Sequence, residues 1–425
     1  MMQAYFQNLV DEIEAARQTA PERVAARKIF ALEVARLGTR LYSGAGQVAW
    51  CGVTAPFDLL NAMGVTSCFV EFVGAMLAST GLIGEQLQAA EQAGYAADTC
   101  GYHRAVIGAA LQGFMPVPDF LIATTSPCSG GLATIENLAR LFKKDLFVLQ
   151  IPQEDTPAAV NYLAGQLRRM VEFVARHTGR ALDDEKLEQS LAATNRTRES
   201  LLEVYRLARS VPSPASSNDL RNFGIVLPLF LGTAGGEAAA RAYRDEFTAR
   251  CQAGNGGGRA EKIRLLWIQN RVQFHNPLEA LLAKEYGATV VIDELNNLYW
   301  EPIDPRDPYP GLARRAIHMP LNGTVDHRAA LLTELALEYR VDGAINPCHW
   351  GCRQGTGARG LIADRLRESG VPVLNLEVDC VDPRNFPEGQ LRTRLEAFLE
   401  LIANRRPAET ATDTRCRKII ADSPK

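Results

Sequence analysis

From Tyr5 to about Phe30, charged and apolar positions alternate without a glycine, which predicts one long amphipathic helix interrupted at Pro21. Beyond it the pattern changes to short apolar runs, partly β-branched, set between helical stripes. The runs are Val65 to Val70, Phe120 to Thr124, Leu146 to Ile151, Ile263 to Ile268, Ala288 to Ile292, Gly343 to Asn346 and Val371 to Val378. Strands buried on both faces read this way, and the helices between them supply the crossovers of a parallel sheet.

The predicted class is α/β: two Rossmann-like or flavodoxin-like parallel-sheet domains with an N-terminal helical segment. Thr156-Pro157 is a helix start, a capping hydroxyl with proline at the first turn, and Val160, Leu163, Leu167, Val171 and Val174 continue at helical spacing. A second helix is predicted from about Asp183 to Leu207. It ends at the proline and serine cluster Val211 to Ser217, the expected domain boundary. The expected division is 1–214 for the N-terminal helix and first α/β domain, 215–405 for the second, and 406–425 for a polar tail.

Composition narrows the function. In 425 residues, 46 Lys and Arg against 49 Asp and Glu leave a net charge of -3, with no basic run, so no nucleic acid or anionic membrane surface is expected as partner. No apolar stretch approaches the roughly 18 residues of a membrane span, and a cytoplasmic location is expected. A large cytoplasmic chain keeps its thiols reduced, so its nine cysteines favour metal binding or catalysis over disulfides.

Where those cysteines fall is the strongest signal. Cys128 follows the run ending at Thr124, in Ser126-Pro-Cys-Ser-Gly130; Cys348 and Cys352 follow Gly343 to Ile345; Cys380 follows Val373 to Val378. Cys100 and Cys51 precede predicted helices. Carboxyl ends of parallel strands are where open α/β sheets place ligands, and helix N-termini favour thiolates. Cys68, Cys251 and Cys416 read as ordinary buried thiols. No Cys-x-x-Cys pair of a zinc site occurs, and ligands gathered singly from separate strand ends suit an iron-sulfur cluster, although spacing alone does not decide the metal. Gly355-Thr-Gly-Ala-Arg-Gly360 matches a dinucleotide fingerprint, but a Cys-His-Trp-Gly-Cys loop separates it from its strand, so close packing of a helix on that loop is the better reading.

Four stretches carry a family resemblance: Cys100-Gly-Tyr-His-Arg104, Val117 to Cys128, Asp342 to Gln354 and Glu377-Val-Asp-Cys-Val-Asp-Pro-Arg384. They resemble the benzoyl-CoA reductase and 2-hydroxyacyl-CoA dehydratase family, in particular its 2-hydroxyglutaryl-CoA dehydratase D-component-like members, and the likeness runs through Glu388 to Phe398 into the last helix. The resemblance implies a 4Fe-4S cluster held by three cysteines, which match Cys100, Cys128 and Cys352. It also implies an acyl-CoA substrate that loses water by radical chemistry, an ATP-hydrolysing iron-sulfur activator protein that injects one electron, and a homologous subunit or a homodimer. The sequence contains no Gly-x-x-x-x-Gly-Lys-Ser/Thr phosphate loop, which agrees with an ATP step in a partner. Cys51, Cys348 and Cys380 exceed the dehydratase pattern, and a double cubane in a reductase of small molecules, or an electron-relay subunit, are the alternatives.

Within that resemblance, Glu71 and His349 are the candidate acid and base groups, with His103 and His349 also able to donate hydrogen bonds to sulfur. Arg104 and Arg353 are the candidates to hold a thioester carbonyl or CoA phosphate. Cys348 is a metal ligand only if a second cubane exists. Trp267, Gln269 and Asn270 are expected along the pocket.

Overall fold

In a computed structural model describing residues 2–20, 24–254, 256–257 and 261–405, eight strands form two four-stranded sheets. The first contains β1 (Val48–Cys51), β2 (Thr66–Phe69), β3 (Phe120–Thr124) and β4 (Leu146–Leu149) in the order β2-β1-β3-β4, every pair parallel. The second contains β5 (Ile263–Trp267), β6 (Ala288–Asp293), β7 (Gly343–His349) and β8 (Val373–Val378) in the order β6-β5-β7-β8, again all parallel. The α/β class with N-terminal helices is therefore observed, and the two sheets repeat one winding. In each, the chain starts on an inner strand, moves to one edge, then crosses to the other side. That reversal opens a crevice at the carboxyl ends of β1 and β3, and of β5 and β7.

The four inner strands are buried at every position, as their apolar runs require with helices packed on both faces. Two strands differ from the sequence reading. β1 was not among the predicted runs: Val-Ala-Trp-Cys is four residues long and follows Gly44 and Gly46, so its central place in the sheet leaves little periodic signal. β7 continues beyond Asn346 through Pro347 and Cys348 to His349, because Asn346 to His349 keep pairing with Asn375 to Val378.

The N-terminal segment is two helices, Met2–Thr19 and Ala26–Tyr42, with Pro21 outside the described residues. The second helix passes Phe30, the expected end, because Gly38 serves packing: a Cβ there would collide with the Phe6 ring of the first helix. The helix Pro157–Thr178 does begin at Thr156, whose hydroxyl accepts the Ala159 N–H at 3.2 Å, and Asp183 caps Asp184–Ala208. The stretch between Val211 and Ser217 is packed, with Ser213 and Ala215 buried. The tail expected at 406–425, and Cys416 within it, lie outside the described residues.

The carboxyl ends of the two sheets are clamped toward one another. Both terminal nitrogens of Arg315, on the helix Pro308–Ile317, meet the Asp58 carboxylate at 2.8 Å on the helix Phe57–Ala62. Arg104 of the first sheet's layer reaches Asp382, beyond β8, at 3.2 Å. Among the described residues no helix is long and apolar enough to cross a membrane.

Candidate functional site

Three cysteines stand immediately before helices. Cys100 precedes Gly101–Leu111, Cys128 precedes Ser129–Phe142 and Cys352 precedes Arg353–Gly357. The Cys128 sulfur accepts the Gly131 N–H at 3.3 Å and the Cys352 sulfur accepts the Gly355 N–H at 3.4 Å, so each occupies the place of a capping oxygen. All three residues line one cavity of about 1140 Å³ between the sheets. Burial raises the pKa of Cys100, and the charge of Cys352 raises it further, while the His103 and Tyr102 N–H groups pull it down. Burial likewise raises Cys352, opposed by the Gly355 N–H and reinforced by Cys128. The sulfurs are thus near enough to repel one another as thiolates, a penalty that bound cations would remove.

Small residues let the walls approach. Gly351 adopts φ 72°, and a Cβ there would run into the Cys100 backbone nitrogen, so the loop after β7 lies directly on the turn carrying Cys100. A Cβ on Gly101 would stand 2.6 Å from both Asp379 carboxylate oxygens. Cysteines far apart in sequence are brought to one space by these contacts.

His349 is fully buried at the end of β7. Its Nδ1 accepts the Cys380 N–H at 2.9 Å, which places the proton on Nε2, and Nε2 lies 3.2 Å from the Cys100 sulfur. Burial, together with the nearby charges of His103 and Arg104, presses its pKa down to about 3, so the ring is neutral. His103 has the opposite setting. Burial opposes its charge, but hydrogen bonds to Cys128 and Glu71 outweigh that and push its pKa up to about 9. Its Nε2 lies 3.5 Å from Glu71 Oε1, while the other oxygen, Oε2, is buried with no hydrogen-bond partner. Glu71, His103 and His349 all line the cavity.

Of the remaining candidates, Arg353 lines the cavity, is exposed, and has no ion-pair partner among the described residues. Arg104, expected at a thioester or phosphate, lies elsewhere: its buried guanidinium bonds Thr99 O at 2.9 Å, Glu91 at 2.5 Å and Asp382 at 3.2 Å, and it is not part of the cavity wall. Cys348 is also elsewhere. Strand alternation turns it away from His349, and its sulfur sits 3.7 Å from both Asn346 O and Asn375 Oδ1. Cys380, with its sulfur 3.7 Å from Asn270 O, and Cys51 are buried outside the wall as well. Gln269 and Asn270 line the cavity, whereas Trp267 supports them from below, its indole N–H donating to Asn270 O at 3.0 Å. Of the Gly355-x-Gly-x-x-Gly360 glycines, only Gly355 is tight, pressed against the Gln269 side chain; Gly357 and Gly360 face open space.

Two contributors had no sequence signal. Phe6, Phe30 and Val34 of the N-terminal helices form one wall, yet their spacing is that of an ordinary core stripe. Behind Cys352, Arg328 is buried against Glu294, with bonds of 2.5 and 2.9 Å, and its third nitrogen reaches Gln354 O at 2.6 Å. An arginine on a helix reads as a solvated charge.

Among the described residues no three His, Cys, Asp or Glu side chains converge as ligands of a single metal ion. The three cysteines instead approach one cavity from separate walls, the donor set and spread that suit a cluster with one thiolate per iron.

A family described as 2-hydroxyglutaryl-CoA dehydratase, D-component, matches residues 52–402. The chain is similar to the (R)-phenyllactyl-CoA dehydratase alpha subunit of Clostridium sporogenes, 25% identical over 85% of this chain and 91% of that protein. It is similar to a benzoyl-CoA reductase subunit of Thauera aromatica, 26% identical over 82% of this chain and 86% of that one. To the (R)-2-hydroxyglutaryl-CoA dehydratase alpha subunit of Acidaminococcus fermentans it is 23% identical, over 68% and 61% respectively.

Proposed function

The chain belongs to the 2-hydroxyglutaryl-CoA dehydratase D-component family, a family of enzymes, and from that premise we propose that it is the iron-sulfur subunit of a 2-hydroxyacyl-CoA dehydratase. The reaction is removal of water from an acyl-CoA after one-electron activation by an ATP-hydrolysing iron-sulfur partner. The observation that carries this reading is the joint placement of three cysteines at helix N-termini and of the Glu71 side chain on one cavity.

Cys100, Cys128 and Cys352 would hold a 4Fe-4S cluster, which would supply a low-potential electron and Lewis-acid polarisation of the substrate. The rest of the site is read from the chain itself. His349 Nε2–H donates to the Cys100 sulfur and fixes that ligand's orientation. Loss of water requires one proton removed from carbon and one delivered to the departing hydroxyl. Glu71, on the cavity wall, would take the first, and His103, held protonated between Cys128 and Glu71, would supply the second. Arg353 holds the CoA phosphates or the thioester oxygen. Arg104 is reassigned to clamping the Cys100 turn against the segment after β8.

The relatives are themselves named as subunits, so a partner chain, a homologue or a second copy, is part of the proposal. An air-labile cluster also favours the reducing cytoplasm. The double-cubane alternative is weaker, because Cys51, Cys348 and Cys380 do not line the cavity. Anaerobic purification with iron and acid-labile sulfide counting tests the reading. A brown protein with about four irons per chain is expected; a colourless protein containing zinc would overturn it.

A further inference from the structure

We propose that the part of the cavity between the N-terminal helices and Glu71 is an acyl pocket for a bulky, uncharged side chain, an aromatic or branched aliphatic group. This rests on the acyl-CoA reading above and names the substrate class within it.

The cysteines occupy only one part of the cavity wall. The rest includes Leu9, Phe30 and Val34 from the two N-terminal helices, Phe72 and Met76 from the helix Glu71–Ser79, and Ile225 from the helix Phe223–Val226. Glu71 starts the same helix that carries Phe72 and Met76, so a substrate whose reacting carbons lie beside Glu71 has its side chain directed along this apolar wall. Two aromatic rings and four aliphatic or thioether side chains there gain from burying hydrocarbon and offer nothing to a charge.

Charge excludes the alternative of a dicarboxylic acyl group. Among the described residues lining the cavity there is no lysine, the arginines are Arg221 and Arg353, and His103 already faces Glu71, its Nε2 3.5 Å from Oε1. Arg221 is already neutralised, its Nη1 lying 2.9 Å from Glu279 Oε1 while Nη2 donates to Val272 O. Arg353 directly follows Cys352, at the cysteine end. A side-chain carboxylate in the apolar part would be desolvated without an unpaired cation, whereas a phenyl or isobutyl group would not.

The experiment is calorimetric titration of the anaerobically purified full chain with four unreactive thioesters: 3-phenylpropanoyl-, 4-methylpentanoyl-, propanoyl- and glutaryl-CoA. The first two are expected to bind at least about tenfold more tightly than the last two, the scale on which an apolar pocket discriminates added hydrocarbon. Ala31 lines the same wall and is exposed, so Ala31→Trp fills the space without disturbing the core, and the preference is expected to collapse in that variant. Tightest binding of glutaryl-CoA, equal binding of all four, or a preference unchanged by Ala31→Trp would overturn the acyl pocket while leaving the dehydratase reading intact. Failure of every thioester to bind would overturn both.

Discussion

The chemistry of the site depends on which atom of each side chain holds a proton. For His349 this is fixed from the main chain: the Cys380 N–H occupies Nδ1, so Nε2 must be the donor to Cys100. A donor to a ligand sulfur favours the reduced, more negative state of a cluster. His349→Phe should therefore keep its iron but lower the reduction potential by up to about 60 mV, one tenfold step of a one-electron equilibrium; a potential unchanged in an EPR-monitored titration would contradict that role. Glu71 makes a different prediction. If the Glu71 carboxylate moves a substrate proton, Glu71→Gln lowers kcat by about 10²-fold or more with iron content unchanged, as steady-state kinetics beside iron analysis would read. The thiols were legible in the sequence as residues because Cys128 and Cys352 sit among Pro, Ser, Gly and His at strand ends. Cys348 was legible only as a candidate, since its position off the cavity wall depends on β7 running three residues further and turning alternate side chains to opposite faces.

At the level of elements, each cysteine is presented by a strand end or turn leading into a helix, and glycines set how closely those elements meet. Gly351 is the critical one, being left-handed and in contact with the Cys100 backbone. Gly351→Ala adds about 1–2 kcal/mol of backbone strain and a collision that only movement of the loop relieves. Iron occupancy should fall, while Gly357→Ala, facing open space at the end of the short helix Arg353–Gly357 that follows, should retain it. Equal iron in both variants would show that the loop contact is unimportant. Most strands were legible because inner strands of a parallel sheet must be apolar on both faces. The exception, β1, is four residues long, and a strand that short has too few positions for a period to be recognised.

The site exists only where the two sheets meet: Cys100 and Cys128 come from one side, Cys352 and His349 from the other. That meeting was the least legible feature, because the clamps are charged residues on helices that read as surface. Asp58 and Arg315 illustrate it, both buried and paired through two bonds of 2.8 Å. Burial alone would raise the Asp58 pKa, but Arg315, the Leu59 N–H and the Thr194 hydroxyl hold it below the ordinary carboxylate value. A depressed folded pKa means the contribution is complete above the unfolded value of about 3.9 and is lost as pH falls through the folded one. Asp58→Ala should cost about 3–5 kcal/mol at neutral pH, with the gap to wild type narrowing in acid, as denaturant unfolding at both pH values would report. The most direct measurement is iron content per chain, after anaerobic purification, of Cys100→Ala, Cys128→Ala, Cys352→Ala and Cys348→Ala. Loss of the cluster in the first three and full retention, at about four irons, in Cys348→Ala is the expected result; full occupancy in Cys352→Ala, or equal loss in Cys348→Ala, would contradict a cluster held across the cleft by those three thiols.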